Sequence, residues 1–253
     1  MFTIERQNEI IALIKFKKSI KVKELAEKFY ISEATVRRDL DKLQKQGVLQ
    51  KTHGGAVLLA GLDTEIPLSV RDTEQKIEKE KIGRLAANIV NNNSVIIMDS
   101  STTALRVVPY LKNKKNMVII TNGAKTAIEL GDYLHTEVYC TGGKLRENSL
   151  SFIGEIARDS IDRFSSDIMF FSCRAISIDD GVYDSSPEEA ELRKHMIPRS
   201  KKTVLLCDHT KFGHTSFYKI SDFKDIDIII TDKKPSKDWV QFLEQNNIEL
   251  IFE

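Results

Sequence analysis

The chain has 253 residues, of which 41% are hydrophobic and 30% charged, ordinary values for a folded protein and enough for one large and one small domain. No apolar run approaches the roughly 18 residues of a membrane span, and the polar start excludes a signal peptide, so we expect a cytoplasmic protein. The net charge of +1 is uneven: residues 1–60 hold 12 Lys and Arg against 7 Asp and Glu, a net +5, and the remainder carries −4. A basic head favours a polyanionic partner.

The three cysteines are far apart in the sequence. Cys140, Cys173 and Cys207 form neither a Cys-x-x-Cys motif nor a Cys/His pair. We therefore expect buried, reduced thiols and no zinc site. No other metal or cofactor is expected from the sequence.

The first 60 residues begin with three predicted helices. Apolar residues recur at helical spacing within 4–16 and again within 22–29, which predicts two amphipathic helices separated by a short basic break. Ser32 is a good N-cap and Glu33 suits the positive end of the helix dipole, so a third helix is predicted to run to about residue 46. Gly47 is the expected C-cap.

A tight turn and a hairpin complete a winged helix-turn-helix pattern. Tyr30 stands in the turn before the third helix, where Gly is frequent, and a positive φ there would cost about 1 kcal/mol. After the third helix, two apolar runs flank His53-Gly54-Gly55, which is the composition of a β-hairpin. We predict a winged helix-turn-helix domain over residues 1–60.

The third helix carries the candidate DNA-reading face. On a helical wheel Val36, Leu40 and Leu43 form a stripe that would pack on the first two helices, and the opposite face is rich in cations. Arg can read guanine bidentately, and Lys can reach phosphates. A solvated charged face is the alternative, but its combination with a tight turn and a hairpin favours nucleic-acid binding. The predicted DNA-binding residues are Ser32, Glu33, Ala34, Thr35, Arg37, Arg38, Lys42, Lys51 and His53.

The rest of the chain shows an α/β pattern. Residues 61–72 lack periodicity and predict a linker, and a charged helix is predicted over about residues 73–90. Beyond it, short runs of Val, Ile, Phe and Met alternate with helical stretches. That alternation is typical of a mostly parallel sheet covered on both faces. We predict one α/β domain over residues 73–253.

Each predicted strand of this domain ends in small polar residues. The carboxyl ends of parallel strands gather at one edge, where open α/β folds bind ligands, and helices that follow directly offer N–H groups to an anion. Small polar residues also end strands that bind nothing, so this alternative stays open. The predicted effector-binding residues are Asp99, Ser100, Ser101, Thr102, Thr103, Asn122, Gly123, Gly142, Gly143, Arg174, Asp208 and Lys211.

The chain resembles DeoR-type bacterial transcription regulators over nearly its whole length. In the head, the resemblance rests on the segment 22–40, on Leu43 and Gly47, and on His53-Gly54-Gly55-Ala56. In the body, it rests on short motifs: Asp99 with Thr102-Thr103, Thr121-Asn122, Thr141-Gly142-Gly143, Glu188-Glu189-Ala190, and Asp208 with Lys211-Phe212-Gly213. The resemblance implies a sugar-phosphate sensor with a fold similar to ribose-5-phosphate isomerase, most often a repressor released by an intermediate of the pathway it controls.

Two positions depart from the family pattern. Ser100-Ser101 stands where the family usually carries Gly before its paired threonines, and Ser101 would either crowd a ligand or add a hydroxyl. Arg174 replaces a small turn residue and could bind phosphate or hold Asp179 or Asp180. Both departures bear on the identity of the effector.

We therefore predict a non-enzymatic DNA-binding regulator of a sugar-metabolism operon, assembled as a dimer or tetramer. Binding of a phosphorylated sugar would alter how paired heads meet double-stranded operator DNA. The alternative is a sugar-phosphate isomerase with an accessory DNA-binding domain, in which Asp208 and Lys211 would act as base and electrophile. A purely structural DNA-organising protein would leave the polar strand ends unexplained.

Overall fold

In the computed structural model the described residues are 3–45, 48–58, 66–133 and 136–253. They form two compact units, the head over residues 1–74 and the body over residues 75–253. Within the described ranges, no helix is both long enough and apolar enough to cross a lipid bilayer.

The head combines three helices with a three-stranded antiparallel sheet. Its elements are α1 (Thr3–Lys17), β1 (Ser19–Lys21), α2 (Val22–Phe29), α3 (Glu33–Lys45), β2 (Leu49–Thr52), β3 (Gly55–Leu58) and the short α4 (Leu68–Arg71). The sheet order is β1-β3-β2, so the predicted hairpin is β2 and β3. The strand β1 was not predicted, and it lies in the basic segment between the first two helices. Its three residues are too few to show the alternation of a strand in the sequence. The predicted C-cap Gly47 lies outside the described residues.

The turn between α2 and α3 follows the sequence prediction closely. Tyr30 has φ +54° and ψ +45°, the left-handed region, and Ile31 N donates to Ala26 O at 3.1 Å. Its side chain is 95% exposed, so packing of that side chain does not offset the backbone cost of about 1 kcal/mol. The left-handed backbone at Tyr30 ends α2.

The head has a core of its own. The predicted stripe Val36, Leu40 and Leu43 is fully buried in it. The core also includes Val70 of α4, although the segment 61–72 lacks a helical period in the sequence. One turn of helix is too short to produce one.

The body is built on a seven-stranded sheet with helices on both faces. Its strands are β4 (Val95–Met98), β5 (Met117–Thr121), β6 (Thr136–Cys140), β7 (Lys144–Arg146), β8 (Ser151–Ile153), β9 (Ile168–Ser172), β10 (Ala175–Ser177), β11 (Gly181–Asp184), β12 (Thr203–Leu206), β13 (Tyr218–Ser221), β14 (Ile228–Ile230) and β15 (Glu249–Ile251). Its helices are α5 (Lys76–Asn88), α6 (Thr102–Leu105), α7 (Val108–Leu111), α8 (Ala124–Leu130), α9 (Glu155–Ile161), α10 (Pro187–Met196) and α11 (Lys237–Gln245), with 3-10 turns at Ile197–Arg199, His209–Lys211 and Phe223–Asp225.

The main sheet is parallel throughout, with the order β15-β14-β12-β9-β4-β5-β6. Two smaller antiparallel sheets belong to the body as well, the three-stranded sheet β10-β11-β13 and the hairpin β7-β8. The predicted α/β class with a mostly parallel sheet is confirmed.

Both faces of the main sheet are buried, as its continuous apolar strands require. Neighbouring residues of β4 show this: Ile96 packs in a cluster with α5, and Ile97 packs in the opposite cluster with α9 and α11. Successive side chains of a strand point to opposite faces. The sheet is therefore the buried centre of the body, and the loops at its strand ends lie at its edge.

The three thiols are free, and they do not share one environment. Cys173 and Cys207 are buried, as expected, whereas Cys140 is exposed. The expectation of burial is wrong for Cys140 because it ends β6, the edge strand of the sheet. Burial is the main cause that raises the pKa of Cys207 well above its usual value.

Candidate DNA-reading face and effector site

The N-terminus of α3 is capped by its own sequence. Thr35 N donates to the backbone oxygen of Ser32 at 3.0 Å and to Ser32 Oγ at 3.2 Å, so the side chain of Ser32 helps to satisfy an N–H group of the first turn. Ser32 Oγ also lies 3.0 Å from Thr35 Oγ1. Ser32, Glu33 and Ala34 are exposed at this end. The predicted N-cap is confirmed, and the first turn of α3 is open to a partner.

The cations of α3 differ in their freedom. Arg37 Nη2 donates to Glu33 Oε2 at 3.0 Å, an exposed pair one helical turn apart. Arg38 and Lys42 are exposed, and neither side chain has a hydrogen-bond or ion-pair partner in the described part of the head. These two side chains are thus available to a polyanion without breaking an internal contact.

The wing residues predicted to touch DNA lie in two settings. His53 is exposed at the turn between β2 and β3. Lys51 instead pairs with Asp41 of α3, and its backbone N–H donates to Gln44 Oε1 at 2.8 Å. The contacts of Lys51 therefore fasten the wing to α3.

The helical wheel of α3 gave Asp39 no role. Asp39 is buried, and its carboxylate accepts hydrogen bonds from Arg6 Nε at 2.6 Å and Gln7 Nε2 at 3.1 Å, both on α1. The partners are more than 30 positions away in the sequence, so no local pattern could have revealed them.

In the body, the chain reverses its direction of strand addition between β4 and β9. It proceeds outward from β4 through β5 and β6, and then returns to place β9 on the other side of β4. Such a switch point opens a crevice at the carboxyl ends of the strands, which is where open α/β sheets bind ligands. Asp99 follows β4 here, and Ser172 ends β9.

Asp99 is fully buried, and internal donors occupy its carboxylate. Ser101 N donates at 3.0 Å, Ser172 N at 3.2 Å, and Arg193 Nε at 2.8 Å. These bonds tie the two strand ends together across the switch point. The structure therefore places Asp99 as a support beneath the crevice.

The hydroxyl of Ser101 is also in use. It accepts a hydrogen bond from Ala104 N at 3.1 Å and caps α6, with an ordinary extended backbone at φ −71°. The backbone at this position does not need glycine. The adjacent Thr102 and Thr103 are buried in the first turn of α6.

Asn122 lies beside this segment at the end of β5. Its Nδ2 donates to Phe152 O at 3.2 Å and to Ser100 Oγ at 3.4 Å, while its Oδ1 is buried and has no partner in the described residues. A carbonyl oxygen can only accept, so this contact fixes which atom is the amide nitrogen. An orphaned acceptor costs about 1–3 kcal/mol, which a ligand hydroxyl would recover.

Lys211 reaches the switch point from the far side. Its Nζ donates to Ser172 Oγ at 2.8 Å and lies 3.4 Å from Asp208 Oδ2. Burial opposes the charge on both groups, but the pair outweighs it: Lys211, with hydrogen bonds from Thr210, lowers the pKa of Asp208, and Asp208 raises the pKa of Lys211. An ammonium group paired with Asp208 therefore lies beside the crevice.

Gly143, one of the glycines of the predicted site, allows the hairpin β7-β8 to lie close to the end of β6. Gly143 has φ +104°, and a Cβ there would lie 2.7 Å from Ile153 O, so only Gly fits under the hairpin β7-β8. The same hairpin bonds to the end of β5, where Phe152 N donates to Asn122 O at 2.7 Å. The ends of β5 and β6 are thus covered by one loop.

A buried charge network that sequence reasoning missed supports the crevice. Arg193 of α10 donates to Asp99, to Asp184 Oδ2 at 2.7 Å and to Glu189 Oε2 at 3.4 Å. Arg146 of the hairpin adds an ion pair to Glu189 at 3.2 Å. The only local signal is the spacing of Glu189 and Arg193, four residues apart on a helix.

Arg174 stands apart from this network. Its backbone N–H donates to Tyr183 O at 2.8 Å, and its side chain is exposed. It forms no ion pair with Asp179 or Asp180 in the described residues, so the structural alternative raised from the sequence is wrong. The guanidinium remains available.

Comparison with known families decides the classification. Residues 6–60 match the DeoR-like helix-turn-helix domain, and residues 74–233 match the DeoR C-terminal sensor domain. The chain belongs to the DeoR family. This DeoR-family chain is 37% identical over 250 residues to an uncharacterised helix-turn-helix transcriptional regulator of Bacillus subtilis, covering 99% of this chain and 96% of that one. It is 31% identical to the glycerol-3-phosphate regulon repressor of Escherichia coli, covering 97% of each.

The DeoR-family chain is therefore a transcriptional regulator with a DNA-binding head and a sensor body. The prediction that it is not an enzyme agrees with these relatives, which are named as regulators. Among solved structures it is similar to ribose-5-phosphate isomerase from Methanocaldococcus jannaschii, with a TM-score of 0.40 and 14% identity over 55% of each chain.

Proposed function

We propose that this DeoR-family chain is a cytoplasmic repressor of a sugar-metabolism operon, and that a phosphorylated sugar binds at the strand ends of the sensor body and alters its affinity for operator DNA. A relative similar over its whole length is named as repressor of a glycerol-3-phosphate regulon. By analogy, the proposed ligand of this chain carries both a phosphate group and hydroxyl groups.

One observation carries the proposal: the switch point offers a fixed cation and an unmet acceptor. Lys211 Nζ sits at the end of β9, and the orphaned Asn122 Oδ1 lies at the end of β5. The two strands flank β4. A phosphate would meet the ammonium and the N–H groups of α6, and a hydroxyl would donate to the amide oxygen.

A response to the effector requires that the effector bind two states of the protein with different affinities. A ligand shifts an equilibrium only by its difference in affinity for the two states. We propose that the sugar phosphate prefers the state with lower affinity for operator DNA. By linkage, operator DNA then weakens effector binding by the same factor.

A mobility-shift titration tests this proposal. The full chain is titrated onto DNA upstream of its own gene, with and without glycerol 3-phosphate, ribose 5-phosphate, fructose 6-phosphate and the unphosphorylated parent compounds. We expect one phosphorylated compound to lower affinity by about 5-fold to 150-fold, the usual range of allosteric coupling, and its parent to have no effect. Constant affinity across the panel would reject the effector.

Two substitutions locate the site. Lys211→Met should abolish the response. Lys201→Met is the matched control, because Lys201 is an exposed lysine of the same body that pairs with Asp167 at 2.9 Å. An equal loss of response in both variants would place the effect outside the strand ends.

A further inference from the structure

The head contains a buried ion pair between α1 and the reading helix. Arg6 Nε donates to one carboxylate oxygen of Asp39 at 2.6 Å, and Gln7 Nε2 donates to the other at 3.1 Å. The side chains of Arg6 and Asp39 are 10% and 4% exposed. Both oxygens of Asp39 are therefore held from a single direction, by consecutive residues of α1.

Such a pair is a poor source of stability. The desolvation of two charges roughly cancels their attraction, and replacing a buried pair by apolar residues of similar size is often neutral or stabilising. The head already has an apolar core of Val36, Leu40 and Leu43 on the same helix. The buried pair therefore calls for a role other than stability.

The direction of the hydrogen bonds to Asp39 gives the pair a role in orienting α3. Successive side chains of an α-helix project about 100° apart, so the direction of Asp39 determines that of the adjacent Arg38. The apolar stripe alone would tolerate a small rotation of α3, because the hydrophobic effect is non-directional. Two charge-assisted hydrogen bonds are directional and oppose such a rotation.

We propose that the Arg6–Asp39 pair fixes the rotation of α3 about its axis, and so determines how well the head distinguishes its operator from other DNA. Asp39 and Arg6 act as positioning residues, since both are buried away from the exposed face that carries Arg38. Base reading by α3 requires side chains placed within hydrogen-bond reach of a base edge. Phosphate binding tolerates a rotation, because long cations can follow the backbone.

The test compares an apolar replacement with the native pair in the full chain. Arg6→Met combined with Asp39→Leu removes both charges together. We expect an unchanged melting temperature of the head, affinity for random DNA within twofold of the native protein, and a loss of about tenfold or more for the operator, the discrimination of one bidentate base contact. The slope of affinity against salt should not change, since the phosphate contacts persist.

A second variant and a control keep the proposal open to failure. Asp39→Asn retains size and one acceptor, and we expect it to lose part of the discrimination even if the double variant does not fold. Glu24→Gln removes the exposed partner of Lys17 on α2 and should leave discrimination intact. A folded double variant, or a folded Asp39→Asn protein, with the native ratio of operator to random affinity would overturn the proposal.

Discussion

The cations proposed to read DNA on α3 differ from those at the strand ends of the body in how they are paired. In the head, Arg38 and Lys42 are exposed on α3 and have no partner among the described residues. At the strand ends of the body, Lys211 is paired with Asp208, and Arg193 is held by three carboxylates. An open cationic face suits a long polyanion that brings many phosphates at once. An enclosed, paired cation suits a small anion with a defined shape.

This difference indicates where specificity originates in each unit. On the head it depends on the placement of a few free side chains against base edges. In the body it depends on which ligand can bind Lys211 while that lysine is paired with Asp208 and can also donate a hydrogen bond to Asn122 Oδ1.

Removal of Arg193 should have the largest effect. Burial opposes its charge, but Asp184, Asp99 and Glu189 outweigh that cost and raise its pKa. Arg193→Met would leave three buried carboxylates without this cation and destabilise the body by about 3–5 kcal/mol. Denaturant unfolding measures the loss of stability.

Arg199→Met is the control, because it removes an exposed pair with Asp162. It should cost under about 1 kcal/mol. A similar cost for both variants would contradict the role of the buried network.

Arg38→Ala tests the open face. We expect operator binding to weaken by about 1–3 kcal/mol and specificity to relax, because a free guanidinium at this position can read a guanine. Fluorescence anisotropy with operator and random duplexes measures both terms. Arg37→Ala is the matched comparison, since Arg37 is already paired with Glu33 and should contribute less. Equal losses of Arg38→Ala on both duplexes would refute base reading.

Sequence reasoning recovered what is local. The helices of the head, the cap at Ser32, the strained turn at Tyr30 and the polar strand ends all follow from periods and residue types within a few positions. The Arg6–Asp39 pair and the Asp99–Arg193 pair span 33 and 94 positions. Such contacts leave no period in the sequence, because the fold alone brings the partners together.

The body should respond to pH through its ligand. The pKa of Asp208 is lowered, so its stabilising charge is fully present above its unfolded pKa of about 3.9 and is lost only as pH falls through the lower folded value. The pKa of Lys211 is raised, so its stabilising charge is fully present below its unfolded pKa of about 10.4 and is lost only as pH rises through the higher folded value. Neither group titrates between pH 5 and 8 on this account, whereas a phosphate monoester gains its second charge near pH ~6. Affinity for an active sugar phosphate should therefore rise several-fold across this range.

Calorimetry at several pH values measures this change. A sugar sulfate of the same carbon skeleton is the control, because it keeps one charge throughout the range. The same rise in affinity for the sulfate would show that a protein side chain titrates in the crevice.

The smallest effect is expected at Lys51, which, unlike Arg38 and Lys42, is paired with a carboxylate of the head. Lys51→Ala breaks an exposed pair with Asp41, so stability should fall by under about 1 kcal/mol. DNA affinity should fall little, because Lys51 must leave Asp41 before it can meet a phosphate.

Asp41→Ala frees Lys51 and should strengthen binding to operator and random DNA alike. The slope of affinity against salt should be steeper by about one phosphate contact. Mobility shifts at several salt concentrations measure the slope, and an unchanged slope in Asp41→Ala would show that Lys51 only fastens the wing to α3.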